Sequence, residues 1–133
     1  MKALIVDDSI TMRVMLRHVL VQNGFSVTEA VHGSDAMKLL VTEALPDLIT
    51  LDWNMPVMNG GATLEAIRQN HVYDRIKILV VSSETERSMV ADALRYGTDD
   101  YLMKPFSLEA FYEKIELLGF SLHGAGLNGG KQS

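Results

Sequence analysis

Short hydrophobic runs alternate with longer amphipathic segments along this chain, and the alternation predicts its secondary structure. Five short runs are apolar throughout or alternate between apolar and polar residues, which is typical of strands in a buried sheet. The predicted strands are Ala3–Val6, Ser26–Val31, Asp47–Leu51, Ile76–Val81 and Asp99–Met103.

Each predicted strand is followed by a segment in which apolar residues recur at helical spacing. The predicted inward faces are Met12, Met15, Leu16, Val19 and Leu20 in the first helix, Ala36, Met37, Leu40, Val41 and Ala44 in the second, and Leu108, Phe111, Ile115 and Leu118 in the fifth. The third helix is predicted at Gly60–Asn70 and the fourth within Glu84–Gly97. Ser9 is the predicted N-cap of the first helix, Gly24 its predicted stop, and Pro46 is predicted to end the second.

The repeated order of strand then helix favours a parallel sheet that is covered by helices on both faces. We therefore predict an α/β fold, a single doubly wound three-layer sandwich of five strand–helix units, for residues 1–118. From residue 119 to residue 133 the sequence is Gly-rich and loses its periodicity, so we predict a flexible C-terminal tail there.

Composition narrows the class of protein. The 133 residues are 47% hydrophobic and 22% charged, which suits one globular domain. The net charge of −5 gives no basic footprint for nucleic acid, and the absence of cysteine excludes disulfides and thiolate chemistry. Two aspartates interrupt the first apolar run far short of a signal peptide or a membrane span. We expect a cytoplasmic protein that binds neither nucleic acid nor membrane.

Polar side chains follow four of the predicted strands, at the point where each strand ends. Asp7 and Asp8 follow the first strand, Asp52 the third, Ser82 the fourth and Lys104 the fifth. Because ligands bind at the carboxyl ends of parallel strands, we expect these side chains to surround one pocket. Crowded carboxylates repel one another, and Mg²⁺, which prefers oxygen ligands, would relieve that repulsion. A carboxylate beside a metal and a lysine indicates a phosphoryl-transfer site with Asp52 as the nucleophile.

These residues, in this order, resemble the receiver domain of two-component response regulators. The matching pieces are Asp7-Asp8, the stretch LDWNMPVMNG from Leu51 to Gly60, Ser82, Tyr101 and Lys104-Pro105-Phe106. The resemblance covers about residues 2–118 and implies a flavodoxin-like sheet with strand order 2-1-3-4-5. It also implies a signalling switch rather than an enzyme, one that catalyses only its own phosphorylation and dephosphorylation.

The resemblance assigns the acceptor and the metal ligands. It implies that Asp52 accepts phosphate from a histidine kinase. It implies that Asp8 and Asp52 bind Mg²⁺ through their side chains, Asp7 largely through water and Asn54 through its backbone carbonyl.

The resemblance also implies a switch and an output. Ser82 would approach the phosphoryl group, and Tyr101 would move inward. Lys104 would pair with a phosphoryl oxygen, and the peptide bond between Lys104 and Pro105 would be cis. Tyr101 has a second interpretation as an ordinary packing residue, because aromatic residues are common in strands. The surface of the fourth helix, fifth strand and fifth helix would then bind a partner differently.

Within the family, the chain is most similar to single-domain chemotaxis regulators. Asn54 and Glu84 resemble the pair found in rapidly self-dephosphorylating members, whereas Ser82 stands where threonine is commoner. The implied partners are a histidine kinase of a chemotaxis complex and a flagellar motor switch protein or another downstream protein, with a phosphatase as a further candidate; we expect a monomer.

Two other functions fit parts of the pattern. A phosphorelay receiver would pass its phosphate to a histidine phosphotransfer domain, and the sequence does not separate this role from chemotaxis. A Mg²⁺-dependent phosphohydrolase of the haloacid dehalogenase type would also use a nucleophilic aspartate. Those enzymes carry an Asp-x-Asp pattern after the first strand, which the sequence Asp7-Asp8-Ser9 lacks.

Overall fold

A computed structural model of the chain describes residues 1–55, 58–83 and 87–122, with the side chains of Arg87 and Ser88 left out. The strands are β1 (Lys2–Val6), β2 (Ser26–Ala30), β3 (Leu48–Asp52), β4 (Lys77–Ser82) and β5 (Asp100–Met103). The helices are α1 (Ile10–Gln22), α2 (Gly33–Thr42), α3 (Gly60–Gln69), α4 (Arg87–Arg95) and α5 (Leu108–Leu117), with a short 3₁₀ helix at His71–Tyr73.

The five strands form one parallel sheet in the order β2-β1-β3-β4-β5. This confirms the predicted doubly wound α/β fold and its strand order. The order leaves β2 and β5 at the two edges and places β1 and β3, which precede the acidic residues, side by side at the centre.

Two hydrophobic cores lie on opposite faces of the sheet because successive strand side chains point to opposite faces. We call them the three-helix core, beneath α2, α3 and α4, and the two-helix core, beneath α1 and α5. The three-helix core includes Leu4, Val6, Ala36, Leu40, Ile49, Leu51, Leu64, Ile67, Ile78, Val80, Met89 and Ala93. The two-helix core includes Ala3, Ile5, Leu16, Val19, Leu20, Leu48, Leu79, Val81, Leu102, Phe111, Tyr112 and Ile115.

The predicted inward faces are correct at their centres and wrong at their margins. Val41 is 76% exposed, Leu108 is 44% exposed and Ala44 is also exposed, although all three were expected to face inward. Helix α2 also ends at Thr42, before the predicted stop at Pro46. Val41 is one position past the buried Leu40, so the helical turn carries it off the narrow stripe that contacts the sheet. Leu108 is the first residue of α5, and the buried residues of this helix begin one turn later, at Phe111.

Residues just after α5 remain packed on the domain. Phe120, which falls in the predicted tail, packs edge-to-face on Phe25 with 5.4 Å between ring centroids. Leu122 is buried in the two-helix core. Packed structure therefore continues past Leu118 to Leu122, and residues 123–133 of the predicted tail lie outside the described residues.

None of the described helices has the length and apolar character needed to span a membrane.

Candidate functional site

The loop after β1 holds its first aspartate by backbone and side-chain hydrogen bonds. Asp7 is 2% exposed, and its amide donates to the carbonyl of Ala30 at 3.1 Å. Its Oδ1 accepts from the amide of Ser9 at 2.9 Å, while Ser9 Oγ accepts from the amide of Met12 at 3.2 Å. The second bond confirms Ser9 as the N-cap of α1. Arg13 donates from Nη1 to the carbonyl of Asp7 at 2.9 Å, so α1 fixes the loop from both sides.

The central strand ends in the predicted acceptor, and the next helix begins against its backbone. Asp52 is the last residue of β3 and is 6% exposed. The amide of Gly60 donates to the carbonyl of Trp53 at 2.8 Å. A Cβ atom at Gly60 would lie 2.6 Å from Trp53 Cα and would also collide with the backbone of Asp52. Only a glycine therefore lets α3 start this close to the acceptor.

Lys104 connects the fifth strand to the acids. Its amide donates to the carbonyl of Ser82 at 2.8 Å, and the peptide bond to Pro105 is cis, as the resemblance implied. Its Nζ lies 3.0 Å from Oδ2 of Asp7 and 3.6 Å from Oδ1 of Asp52. The ammonium group thus sits between the two buried carboxylates and is closer to Asp7.

Side-chain alternation explains why these groups meet. Asp7 continues the face of β1 that carries Ile5, and Asp52 continues the face of β3 that carries Leu48, both on the two-helix side of the sheet. Lys104 follows Leu102, which faces the same core. Three side chains on one face, each at a carboxyl end, are thereby brought to one point of the sheet edge.

The three acids form a group of oxygen donors that could hold a divalent cation. One carboxylate oxygen each from Asp7, Asp8 and Asp52 lies within 4.8 Å of the other two. Asp8 is exposed, so this side of the group is open to water. Three carboxylates and one ammonium group carry a net charge of about −2 when all are ionised, which a divalent cation balances. The donors are all oxygens, and that chemistry fits Mg²⁺.

Burial makes the central carboxyl unusually basic. The pKa of Asp52 is raised from 3.8 to about 6, first by burial and then by repulsion from the neighbouring Asp7 carboxylate, while Lys104 opposes the rise. A hydrogen bond and a weaker charge interaction with Asp8 also favour the protonated form of Asp52. The raised pKa thus reflects a buried carboxyl group that lies beside two other acids.

The other predicted site residues lie around this group in different ways. Ser82 ends β4 and is 1% exposed. Tyr101 packs against the three-helix core, on the face of the sheet to which alternation along β4 also assigns Ser82. Asn54 is exposed in the loop after β3. Glu84 lies outside the described residues.

Two residues contribute to the site without having been assigned a role from sequence. Arg13 binds the acid loop and also pairs with Glu29 of β2 through Nε at 3.1 Å. Gly60 permits the close approach of α3, and the one available signal was its place at the end of the LDWNMPVMNG stretch.

Comparison with known proteins gives consistent results. The chain matches the family described as response regulator receiver domain over residues 3–116. It is 36% identical over 119 residues to chemotaxis protein CheY1 of Helicobacter pylori strain J99, covering 89% of this chain and 96% of that protein. It is 39% identical over 115 residues to chemotaxis protein CheY of Bacillus subtilis strain 168, covering 86% and 93%.

The fold has close counterparts among solved structures. The chemotaxis response regulator CheY4 of Vibrio cholerae superposes with a TM-score of 0.81 at 33% identity, covering 88% of this chain and 97% of that one.

Proposed function

The chain belongs to the response regulator receiver domain family, and we propose that it is a phosphorylation switch in which Asp52 is the phosphoryl acceptor. Receiver domains are signalling switches and not classical enzymes. The observation that carries the proposal is the meeting of Asp7, Asp8 and Asp52 with the ammonium group of Lys104.

The acceptor step needs an ionised, rigidly held carboxylate. An oxygen of Asp52 forms a bond to the phosphorus of a phosphohistidine on the kinase, and the phosphorus–nitrogen bond breaks. The electron pair remains on the imidazole nitrogen, which takes a proton from solution. Even in the metal-free site, where its pKa is about 6, Asp52 is mostly ionised at neutral pH, as attack on phosphorus requires.

The remaining residues of the site would balance the negative charge of the phosphoryl group. Asp8 and Asp52 would hold Mg²⁺ through their side chains, Asp7 through water and Asn54 through its backbone carbonyl. When bound, Mg²⁺ supplies positive charge to the oxygens of the phosphoryl group. Lys104, which spans Asp7 and Asp52 by 3.0 Å and 3.6 Å, is close enough to pair with a phosphoryl oxygen on Asp52. The same groups would assist loss of the phosphoryl group to water.

The switch is proposed to run from Ser82 to Tyr101. Both are assigned to the three-helix side of the sheet on neighbouring strands, where Val80 pairs with Tyr101 and Ser82 with Met103. Ser82 would approach the phosphoryl group, and Tyr101 would move inward into the space that becomes available. This would change the surface formed by α4, β5 and α5.

The relatives favour chemotaxis over a phosphorelay as the setting. The similar proteins named here are chemotaxis proteins, and their likeness covers most of this chain. We therefore propose a cytoplasmic protein that receives phosphate from a chemotaxis histidine kinase and acts on a flagellar motor switch protein, with a phosphatase as a further partner.

Metal binding is testable through the single tryptophan. Trp53 directly follows Asp52, so titrating the metal-free protein with Mg²⁺ should give a saturable change in tryptophan fluorescence. Asp8→Ala should weaken the apparent affinity by about tenfold or more, since removing even a supporting group of a metal site has that effect. Asp74→Asn, an exposed acid beside the 3₁₀ helix, is the matched control and should leave the titration unchanged. A flat titration, or equal affinities in both variants, would count against a metal at this site.

A further inference from the structure

One lysine links the two faces of the sheet around the exposed edge of β5. Lys114 belongs to α5, whose buried residues contribute to the two-helix core. Its Nζ nevertheless lies 5.5 Å from the centroid of the Tyr101 ring, which packs against the three-helix core on the opposite face. Because β5 is an edge strand, no further strand of the described residues separates the lysine from the ring.

The ammonium group of this lysine is held in place by the neighbour of the tyrosine. Oδ1 of Asp100 accepts from Lys114 Nζ at 3.0 Å and from the backbone amide of Tyr101 at 2.8 Å. The side chains of Lys114 and Asp100 are 28% and 22% exposed, so the pair is partly shielded from water. The lysine is thus fixed to the backbone of β5 and does not depend on the ring for its position.

We propose that Lys114 is a positioning residue that holds Tyr101 in its observed place and so sets the balance of the switch. The inference rests on the proposed function, in which Tyr101 moves inward when the acceptor is loaded. Such a movement takes the ring away from Lys114, while Asp100 retains the ammonium group. The cation–π contact is therefore lost on activation and the ion pair is kept. Lys114 stabilises the unloaded state selectively and weakens the binding of anything that requires the inward ring.

The chemistry of the contact sets the size of the effect. A cation–π contact at a partly exposed site corresponds to about a two- to fivefold change in an equilibrium constant. Lys114→Met keeps the unbranched stem and removes the charge. It should tighten the binding of beryllofluoride, used with Mg²⁺ as a mimic of the phosphoryl group, by about two- to fivefold. Lys114→Arg keeps a cation over the ring and should behave like the wild-type protein.

Lys77→Met provides a matched control. It removes the same charge from an exposed lysine at the start of β4, the end of the sheet away from the acids, and should leave beryllofluoride affinity unchanged. In a Tyr101→Leu background, Lys114→Met should have no effect, because the ring through which the lysine acts is absent. Equal tightening in both backgrounds, or no tightening in either, would overturn the proposal.

A second readout separates this inference from the proposed function. Fluorotyrosine labelling, with the Tyr101 signal assigned by its loss in Tyr101→Phe, reports the ring in the metal-free protein. Lys114→Met should shift that signal toward its beryllofluoride-bound position, and Lys77→Met should not. If the wild-type protein fails to bind beryllofluoride, the proposed function fails; the Lys114 contact is still tested, because an unmoved Tyr101 signal in Lys114→Met refutes it.

Discussion

At the scale of single residues, Lys104 partly offsets the repulsion between the crowded acids of the site. Its ammonium group lies between Asp7 and Asp52 and is closer to Asp7. Asp7 is further supported by the amide of Ser9, whereas burial and repulsion raise the pKa of Asp52. In the metal-free site, burial and crowding therefore disfavour the ionised form of Asp52, the residue proposed to react.

The raised pKa of Asp52 predicts how the stability of the metal-free protein depends on pH. The pKa of Asp52 is raised on folding, so the metal-free folded state binds the proton more tightly than the unfolded state. The contribution of Asp52 to stability is therefore most favourable below about pH 4 and is lost as the pH rises through about 6. The side chain of Asp52→Asn stays neutral. As the pH rises between those limits, the free energy of unfolding of this variant should therefore increase relative to that of the wild-type protein by on the order of 2–3 kcal/mol. Urea unfolding with a chelator present measures this difference, and a difference that does not vary with pH would contradict the assignment.

Gly60 makes a second residue-scale prediction. A methyl group there would press on the backbone of Trp53 and Asp52, so Gly60→Ala should destabilise the fold by about 1–3 kcal/mol and lower Mg²⁺ affinity. Gly61→Ala is the matched control, because its Cβ would lie 3.2 Å from the Trp53 ring, whose edge can shift slightly. Chemical denaturation and the Mg²⁺ titration check both variants. Equal losses in the two would show that the close approach at Gly60 is not special.

At the scale of elements, Arg68 fastens the end of the sheet that lies away from the acids. From the last turn of α3 its guanidinium donates to the carbonyls of Gly97 at 2.9 Å, Tyr73 at 3.0 Å and Ile76 at 2.8 Å, and to Oδ2 of Asp99 at 2.9 Å. These bonds join α3, the 3₁₀ helix, the start of β4 and the loop between α4 and β5. The end of α4 is therefore fixed at a point far from the proposed phosphoryl site.

Removing this guanidinium should be costly. Arg68→Ala leaves several partly buried carbonyls without their donor and should destabilise the fold by about 2–4 kcal/mol. Arg95→Ala, which removes an exposed arginine paired with Asp92, should change stability far less. Thermal or chemical unfolding compares the two variants. If both behave alike, the contacts of Arg68 do not hold the elements together.

The elements themselves were largely predictable because their signals are local. Apolar runs or alternation of apolar and polar residues marked the strands, and Ser9 marked the start of α1. The exposure of Val41 and Leu108 was not predictable, because a count of apolar residues does not show how narrow the contact between a helix and the sheet is. The contacts of Arg68 join segments far apart in the chain, and no local pattern indicates them.

At the scale of the whole molecule, the charged groups of the site and the proposed switch residues belong to opposite faces of the sheet. Asp7, Asp52 and Lys104 continue the two-helix face, whereas Tyr101 packs on the three-helix face and Ser82 is assigned to it. Sequence alone predicted that Asp7, Asp52, Lys104 and Ser82 meet at one sheet edge, because strand ends are visible in the pattern. It could not predict which carboxylate Lys104 approaches more closely, or that Lys114 reaches Tyr101 around β5, because both depend on distances in three dimensions.

Transfer of phosphate from labelled acetyl phosphate tests the central claim most directly. With Mg²⁺ present, the wild-type protein should take up one phosphoryl group that base and hydroxylamine remove, as expected of an acyl phosphate, and that maps to Asp52. Asp52→Asn should take up none, Lys104→Ala should take up much less, and Asp74→Asn should match the wild type. Full incorporation in Asp52→Asn, or a phosphoryl group that maps to another residue, would contradict the account.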